Sequence, residues 1–157
     1  MKREDHDDLV NQLAATPNRL GQLIDETSEN LRYRPADGRF SILENVCHLR
    51  DIEIEGYTDR IKRILEEDSP DLQDIDGGRL AFEREYNKQD LIPALKTFVE
   101  AREKNLARLR NVDVKELEKT GNLQGVGQVT LARLLEMMLE HDEGHLTELQ
   151  MLQRSFT

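Results

Sequence analysis

Two of the chain's four histidines stand four residues apart in EMMLEHDEGHLTELQ, residues 136–150. On an α-helix, residues four apart lie one turn above each other, so His141 and His145 can aim two ring nitrogens at one point. A divalent ion such as zinc takes imidazole nitrogens at roughly 2.0–2.1 Å, which rotamers of such a pair can reach. Chance pairs at this spacing also occur on exposed helices. Here, however, the pair falls on the side of Leu134, Met138, Leu149 and Leu152, the apolar face. Imidazoles turned toward a core need partners, because an unpaired buried nitrogen costs about 1–3 kcal/mol. A metal would supply them.

A third ligand has to come from another segment. His48 is the natural candidate, but its helical angle puts it at the margin of its apolar sector, nearest Ser41 and Ile52. Spacing alone leaves it between a ligand and an ordinary surface histidine. His6 sits among Glu4, Asp5, Asp7 and Asp8 at an end that reads as frayed, and it is expected to be solvated. Cys47 adjoins His48 but points about 100° away around the helix. It falls among Leu43, Ile54 and Leu65 and reads as a small buried apolar residue, neither nucleophile nor ligand.

Two charges also fall on apolar stripes. Arg102 lies in the stripe of Leu91, Leu95, Phe98, Leu106 and Leu109, and Asp142 lies between Leu135, Met138, His145 and Leu149. Buried charge is expensive unless paired, so these two invite a partnership. In one reading Arg102 snorkels to the edge of the fold and Asp142 caps a neighbouring group. In the other they are candidates for the chemistry. Asp142 would then orient a metal-bound imidazole or accept a proton, and Arg102 would neutralise it or bind an anionic substrate. That reading expects Arg102→Met to harm ligand affinity more than stability.

The elements that must position these residues read as helices. Residues 5–30 carry Leu9, Leu13, Leu20, Leu23 and Ile24 at helical spacing, with a break and restart at Thr16-Pro17. Ser41 and Glu44 have the spacing of a capping box and open a helix over residues 41–67. Residues 71–78 read as loop and 79–86 as a short helix. A long helix follows over 90–111, with Pro93 in its permissive first turn. Gly121, Gly125 and Gly127 mark a connector without phosphate-binding order, and Thr130 caps the last helix. Nothing alternates with period two over a useful length. Four long helices in a single domain spanning residues 1–157 predict an all-α four-helix bundle.

Composition narrows the function classes. A net charge of −10 argues against nucleic acid as a partner, since phosphate binding needs a basic face. One cysteine excludes an intramolecular disulfide framework and fits a reducing compartment. The opening MKREDHDDLV lacks the apolar stretch of a signal peptide, and no apolar run approaches a membrane span. A cytoplasmic protein is expected, with no membrane partner.

RPADGRFSILENVCHLRDIE, at residues 34–53, resembles the segment leading into the second helix of the DinB-like (YfiT-like) metal-dependent hydrolases. GQVTLARLLEMMLEHDEGHLTEL is similar to that family's last helix, with its H-D-x-x-H-L pattern. The resemblance implies a DinB/YfiT-like four-helix bundle, commonly a homodimer, with a divalent ion held by three histidines. The matching positions here are His48, His141 and His145, and the ions it suggests are zinc and nickel. It also implies a small-molecule substrate. Relatives include thiol S-transferases that use low-molecular-weight thiols such as bacillithiol or mycothiol, and a maleylpyruvate isomerase. Phe40 stands where the family usually has tryptophan, and Gly144 where a larger residue is frequent, which leaves more room beside the ion.

Two functions follow as expectations. One is a metal-dependent enzyme, either a hydrolase or a thiol S-transferase. The other is a non-catalytic metal-binding or helix-packing dimerisation module. A structural zinc site is usually closed by four protein ligands, and only three good ones are present, which favours the enzyme.

Overall fold

The computed structural model describes residues 1–26 and 28–156. Helix α1 spans Arg3–Leu23, α2 Ile42–Asp51, α3 Asp59–Glu66, α4 Gly77–Glu83, α5 Leu91–Arg110 and α6 Leu131–Arg154. A π-helical segment, Ile52–Thr58, joins α2 to α3 without a break, so the two form one long rod. The bundle is made of α1, this rod, α5 and α6. Helix α1 packs on α5 and α6, and α2 packs on α5 and α6.

The helix starts follow the caps. Ser41 accepts from the Glu44 N–H while the Glu44 side chain accepts from the Ser41 N–H, which completes the box. Thr130 accepts from the Arg133 N–H at the start of α6. The first helix differs from expectation at both its middle and its end. It ends at Leu23 rather than near residue 30, and Thr27 lies outside the described residues. Thr16-Pro17 does not break it. Proline lacks the N–H that would bond the carbonyl four residues back, which leaves the Leu13 carbonyl free. Arg102 Nη1 donates to that carbonyl at 2.9 Å. The helix stays continuous because a buried guanidinium satisfies its gap.

The segment read as loop and connector is instead a small three-stranded sheet. Strand β1 (Asp71–Leu72) pairs in parallel with β2 (Thr120–Leu123), which pairs antiparallel with β3 (Gly127–Thr130). Gly125 and Gly127 hold positive φ, 80° and 103°, and close the hairpin tightly. Strands of two and four residues are too short to show an alternating pattern, so periodicity could not reveal them. The short helix predicted over 79–86 lies at Gly77–Glu83.

The apolar core is divided in two. One cluster, beside the sheet, contains Leu9, Leu13, Ile61, Ile64, Leu109, Leu134 and Met138. The other, toward the opposite end, contains Leu20, Leu43, Val46, Phe98, Leu146 and Leu149. Between them lies a layer of buried polar residues drawn from all four bundle rods: Thr16, Glu53, Arg102, Asn105 and Asp142. The broad apolar circumference of the second helix is used within the chain. Cys47 and Ile52 are buried, Leu65 packs on the core, and only Ile54 is exposed. His6, expected to be solvated, is fully buried, with Nε2 at 2.9 Å from the Leu109 carbonyl near the end of α5. Its acidic neighbours in sequence point elsewhere on the helix and say nothing about its own face. Among the described residues no helix is long and apolar enough to cross a membrane.

Candidate metal centre

Helix α6 presents His141 and His145 one turn apart, and α2 brings His48 against them. The three Nε2 atoms converge: His48 to His141 is 3.0 Å and His141 to His145 is 3.2 Å. The ligand nitrogens of a tetrahedral zinc site stand about 3.3 Å apart, from bonds of roughly 2.0–2.1 Å, so the spacing suits an ion. It suits hydrogen bonding less well. At most one ring hydrogen fits among three Nε2 atoms that face each other, so two lone pairs are left aimed at the same point.

The ring of His145 is oriented from behind. Asn45 Oδ1 accepts from His145 Nδ1 at 2.8 Å, while Asn45 Nδ2 donates to the Ser41 carbonyl at 3.0 Å. The two bonds together fix the amide's orientation. They place the His145 hydrogen on Nδ1 and leave Nε2 a bare acceptor, the tautomer a metal needs. His48 is held by packing. A Cβ at Gly77 would lie 2.5 Å from His48 Cε1 and 2.8 Å from Nδ1, so the helix α4 backbone comes against the ring only because residue 77 is glycine. His48 Nδ1 is buried with no hydrogen-bond partner among the described residues.

Electrostatics keeps the cluster neutral. Burial pushes His48 down to about 4, helped by the neighbouring His145 and opposed weakly by Asp51. Burial and the two other rings push His141 down to about 2, with Arg102 and Arg60 adding to the effect. His145 is lowered by burial too, against the pull of Asp142. All three rings are therefore unprotonated near neutral pH and free to ligate a cation. Cys47 stays a thiol, because burial raises it to about 11.

A cavity of about 290 Å³ opens beside the histidines, walled by His48, His141, Tyr57, Arg60, Met137 and Gln124 among others. A larger cleft of about 650 Å³ adjoins it across Arg60, Asp74 and Ile75 but does not reach the histidines. Gly144 does not line the cavity. It is exposed, and a Cβ there would meet nothing within 4 Å, so the larger residue frequent in relatives would stand in solvent.

Arg102 and Asp142 do point inward, but to each other. The Arg102 guanidinium donates Nη1 to Asp142 Oδ2 at 2.7 Å and Nη2 to Oδ1 at 2.9 Å. It also donates Nε and Nη2 to Glu53, both at 2.8 Å. With the bond to Leu13, every N–H of the guanidinium is used. Asp142 accepts from Thr16 Oγ1 at 2.6 Å, and Glu53 from Asn105 Nδ2 at 2.8 Å. The partner of His145 is Asn45, not Asp142, and Arg102 is absent from the cavity wall. Burial alone would lower Arg102, but hydrogen bonds to Asp142 and Glu53 hold it above its ordinary value.

Sequence reasoning missed Asn45, Glu53 and Arg60. Ile42, Val46, Leu49, Glu53, Tyr57, Arg60 and Ile64 recur three or four residues apart, and every one of them is buried. The test that singled out Arg102 and Asp142, a charge inside an apolar stripe, would have found Glu53 and Arg60 on this helix. Asn45 carried no such signal.

Comparison with known proteins fits this geometry. The sequence pattern of the DinB superfamily matches residues 12–149, and the chain belongs to that superfamily. Its structure is similar to YfiT from Bacillus subtilis, described as a probable metal-dependent hydrolase with an unusual four-helix bundle topology. The two chains are 21% identical with a TM-score of 0.91, and the match covers 99% of this chain and 90% of that one. At that identity the likeness establishes the fold. No curated protein matches the chain.

Proposed function

We propose that the chain is a divalent-metal-dependent enzyme acting on a small molecule, with the ion held by His48, His141 and His145. The observation that carries this reading is the convergence of three neutral Nε2 atoms, two of them on rings that wall a cavity, with no fourth protein ligand among the described residues. A closed structural site would use four. When bound, such an ion supplies Lewis acidity, lowering the pKa of a ligated water or thiol and polarising a carbonyl. The chain's own part is to hold the three rings, to fix the His145 tautomer through Asn45, and to offer a half-apolar cavity for the substrate.

Zinc and nickel both suit imidazole donors. Three neutral ligands leave the ion doubly positive, which favours an anionic reactant such as the thiolate of a low-molecular-weight thiol. Thiol S-transfer is therefore the finer reading, and metal-dependent hydrolysis, the description YfiT carries, is its rival. A buried lone cysteine fits a cytoplasmic setting. Helix α2 and the π-helical segment leave little apolar surface for a homodimer beyond Ile54, so a dimer would have to use surfaces such as exposed Phe82.

The test is metal content and affinity of the purified chain and its single alanine variants, followed by parallel hydrolytic and thiol-transfer screens with and without added metal. Each of His48→Ala, His141→Ala and His145→Ala is expected to weaken binding at least a hundredfold. Retained affinity in His48→Ala would remove the third ligand. Activity in neither screen, with one tightly held ion, would leave the non-catalytic module. Sedimentation of the same sample at micromolar concentration reports the assembly.

A further inference from the structure

Among the described residues two guanidiniums are buried, Arg102 at 1% and Arg60 at 8% exposure, and their surroundings differ. Arg102 has an acceptor for every N–H. Arg60 has a single hydrogen bond, Nη2 donating to the Gln73 carbonyl at 2.9 Å, and lies over the Tyr57 ring with Cζ 5.6 Å from its centroid. No carboxylate comes within ion-pair distance of it among the described residues, and four of its five N–H groups have no protein acceptor. Its unpaired nitrogens open to solvent in the cavity rather than being sealed in the core, so an anion entering the cavity can take them in place of water. The free face of Arg60 is a wall of the same cavity that His48 and His141 line.

We propose that Arg60 binds the carboxylate of the substrate, so that the cavity selects a small monocarboxylate whose reacting end faces the histidines. This rests on the reading that the cavity beside the histidines takes the substrate. A planar guanidinium matches a carboxylate through two parallel hydrogen bonds, and the Tyr57 ring behind it keeps its plane in place. The cavity of about 290 Å³ is at the small end for a ligand site, and Ile52, Ile75 and Met137 give it apolar walls suited to a short hydrocarbon chain. The adjoining cleft sets the charge of the ligand. Asp59, Asp71 and Asp76 line it, and exposed Asp74 stands at the junction. Glu55 is paired with Arg84, and the cleft's other arginines, Arg63 and Arg79, are taken by Glu67 and Glu83. A second anionic group extending that way would be repelled, which disfavours a phosphate ester or a dicarboxylate.

The test uses butyrate and its neutral isostere butyramide, titrated into the full chain while the Arg60 Nε–H and the backbone amides of residues 124–126 are followed by NMR. The titration is run after chelation and again with one equivalent of zinc. Butyrate should bind at least tenfold more tightly than butyramide in the chelated wild type. Arg60→Gln should abolish that preference and Arg60→Lys should keep part of it. Equal binding of the two probes in wild type, or an undiminished preference in Arg60→Gln, overturns the proposal. If Arg60→Gln does not fold, the comparison of probes in wild type and in Arg60→Lys decides. Zinc affinity, read by competition with a chromophoric chelator, should be retained or rise in Arg60→Gln, since a cation that disfavours charge at His141 is removed. Failure of wild type to hold zinc would sink the metal reading while leaving the chelated titration to judge Arg60.

Discussion

Two polar regions meet on one turn of α6, and they are built on opposite principles. Asp142 belongs to the layer that divides the apolar core, where Arg102 answers Asp142, Glu53 and the Leu13 carbonyl and each group is saturated. His141, its neighbour in sequence, belongs to a cluster whose nitrogens converge on one another with lone pairs to spare. The first region is closed: nothing there is left to bind a ligand. The second is open, and so is Arg60 across the cavity. The layer is fully buried and the histidines are half-buried, yet both regions take polar groups out of bulk water. What separates scaffold from site is whether the protein itself completes the hydrogen bonds.

The sharpest way to break this contrast is to attack the closed layer. Arg102→Met keeps the volume and removes the charge, leaving Glu53 and Asp142 buried without their shared partner. A loss of about 3–5 kcal/mol in unfolding free energy is expected, from the cost of orphaning a buried charge. This reverses the expectation drawn from helical spacing, that ligand affinity would suffer more than stability. Denaturant melts of the metal-free variant check it, and a loss under 1 kcal/mol would mean the layer is not scaffold.

The open cluster should respond to acid instead. Its histidines titrate at about 6.5 in the unfolded chain, while His48 is held down to about 4 when folded. Between these values the unfolded state binds more protons, so stability is full above about 6.5 and falls as pH drops toward 4. For His48 alone the loss by pH 4.5 is on the order of 2 kcal/mol, from about 1.4 kcal/mol per pH unit. Thermal melts of the chelated chain across pH 4.5–7.5 measure it, and saturating zinc should move the fall to lower pH by competing with protons. A flat profile would show that the rings are not neutral by burial.

Asn45 lies between the two regions in kind, a saturated group that serves the open one. Asn45→Ala removes the acceptor that fixes His145 and should weaken zinc binding about 10–100-fold, as loss of an orienting partner commonly does. Chelator competition reads this directly, and unchanged affinity would leave the His145 tautomer to be set by the ion alone.

The parts of this molecule legible in sequence are those with long periods. The four bundle rods, the caps at Ser41 and Thr130, and the inward pair Arg102 and Asp142 all follow from recurrence every three to four residues. The His141–His145 spacing is local to one helix and needs no tertiary knowledge, whereas His48 rested on family resemblance, because it lies at the margin of its stripe. What stayed hidden has short or non-local causes. The π-helical turn is tied by Thr58 Oγ1 reaching the Glu53 carbonyl five residues back, a bond that leaves no compositional trace. The sheet sets a tight hairpin of very short strands against Asp71–Leu72, a segment distant in sequence. Asn45 acquires its role only from a histidine a hundred residues away.

The smallest expected effect concerns Gly144, which stands between the metal-site histidines in sequence but outside the cavity in space. Glycine inside a helix costs about 0.5–1 kcal/mol relative to alanine, since the unfolded chain has more freedom to lose. Position 144 is exposed in the middle of α6, and a Cβ there would touch nothing within 4 Å, so no packing term opposes that difference. Gly144→Ala should therefore raise the melting temperature slightly and leave zinc affinity and butyrate binding unchanged. Resemblance to relatives with a larger residue suggested the opposite, a glycine that makes room beside the ion. A tenfold change in affinity with unaltered stability would favour that account, and would mean the open region extends around α6 to a face the protein leaves in water.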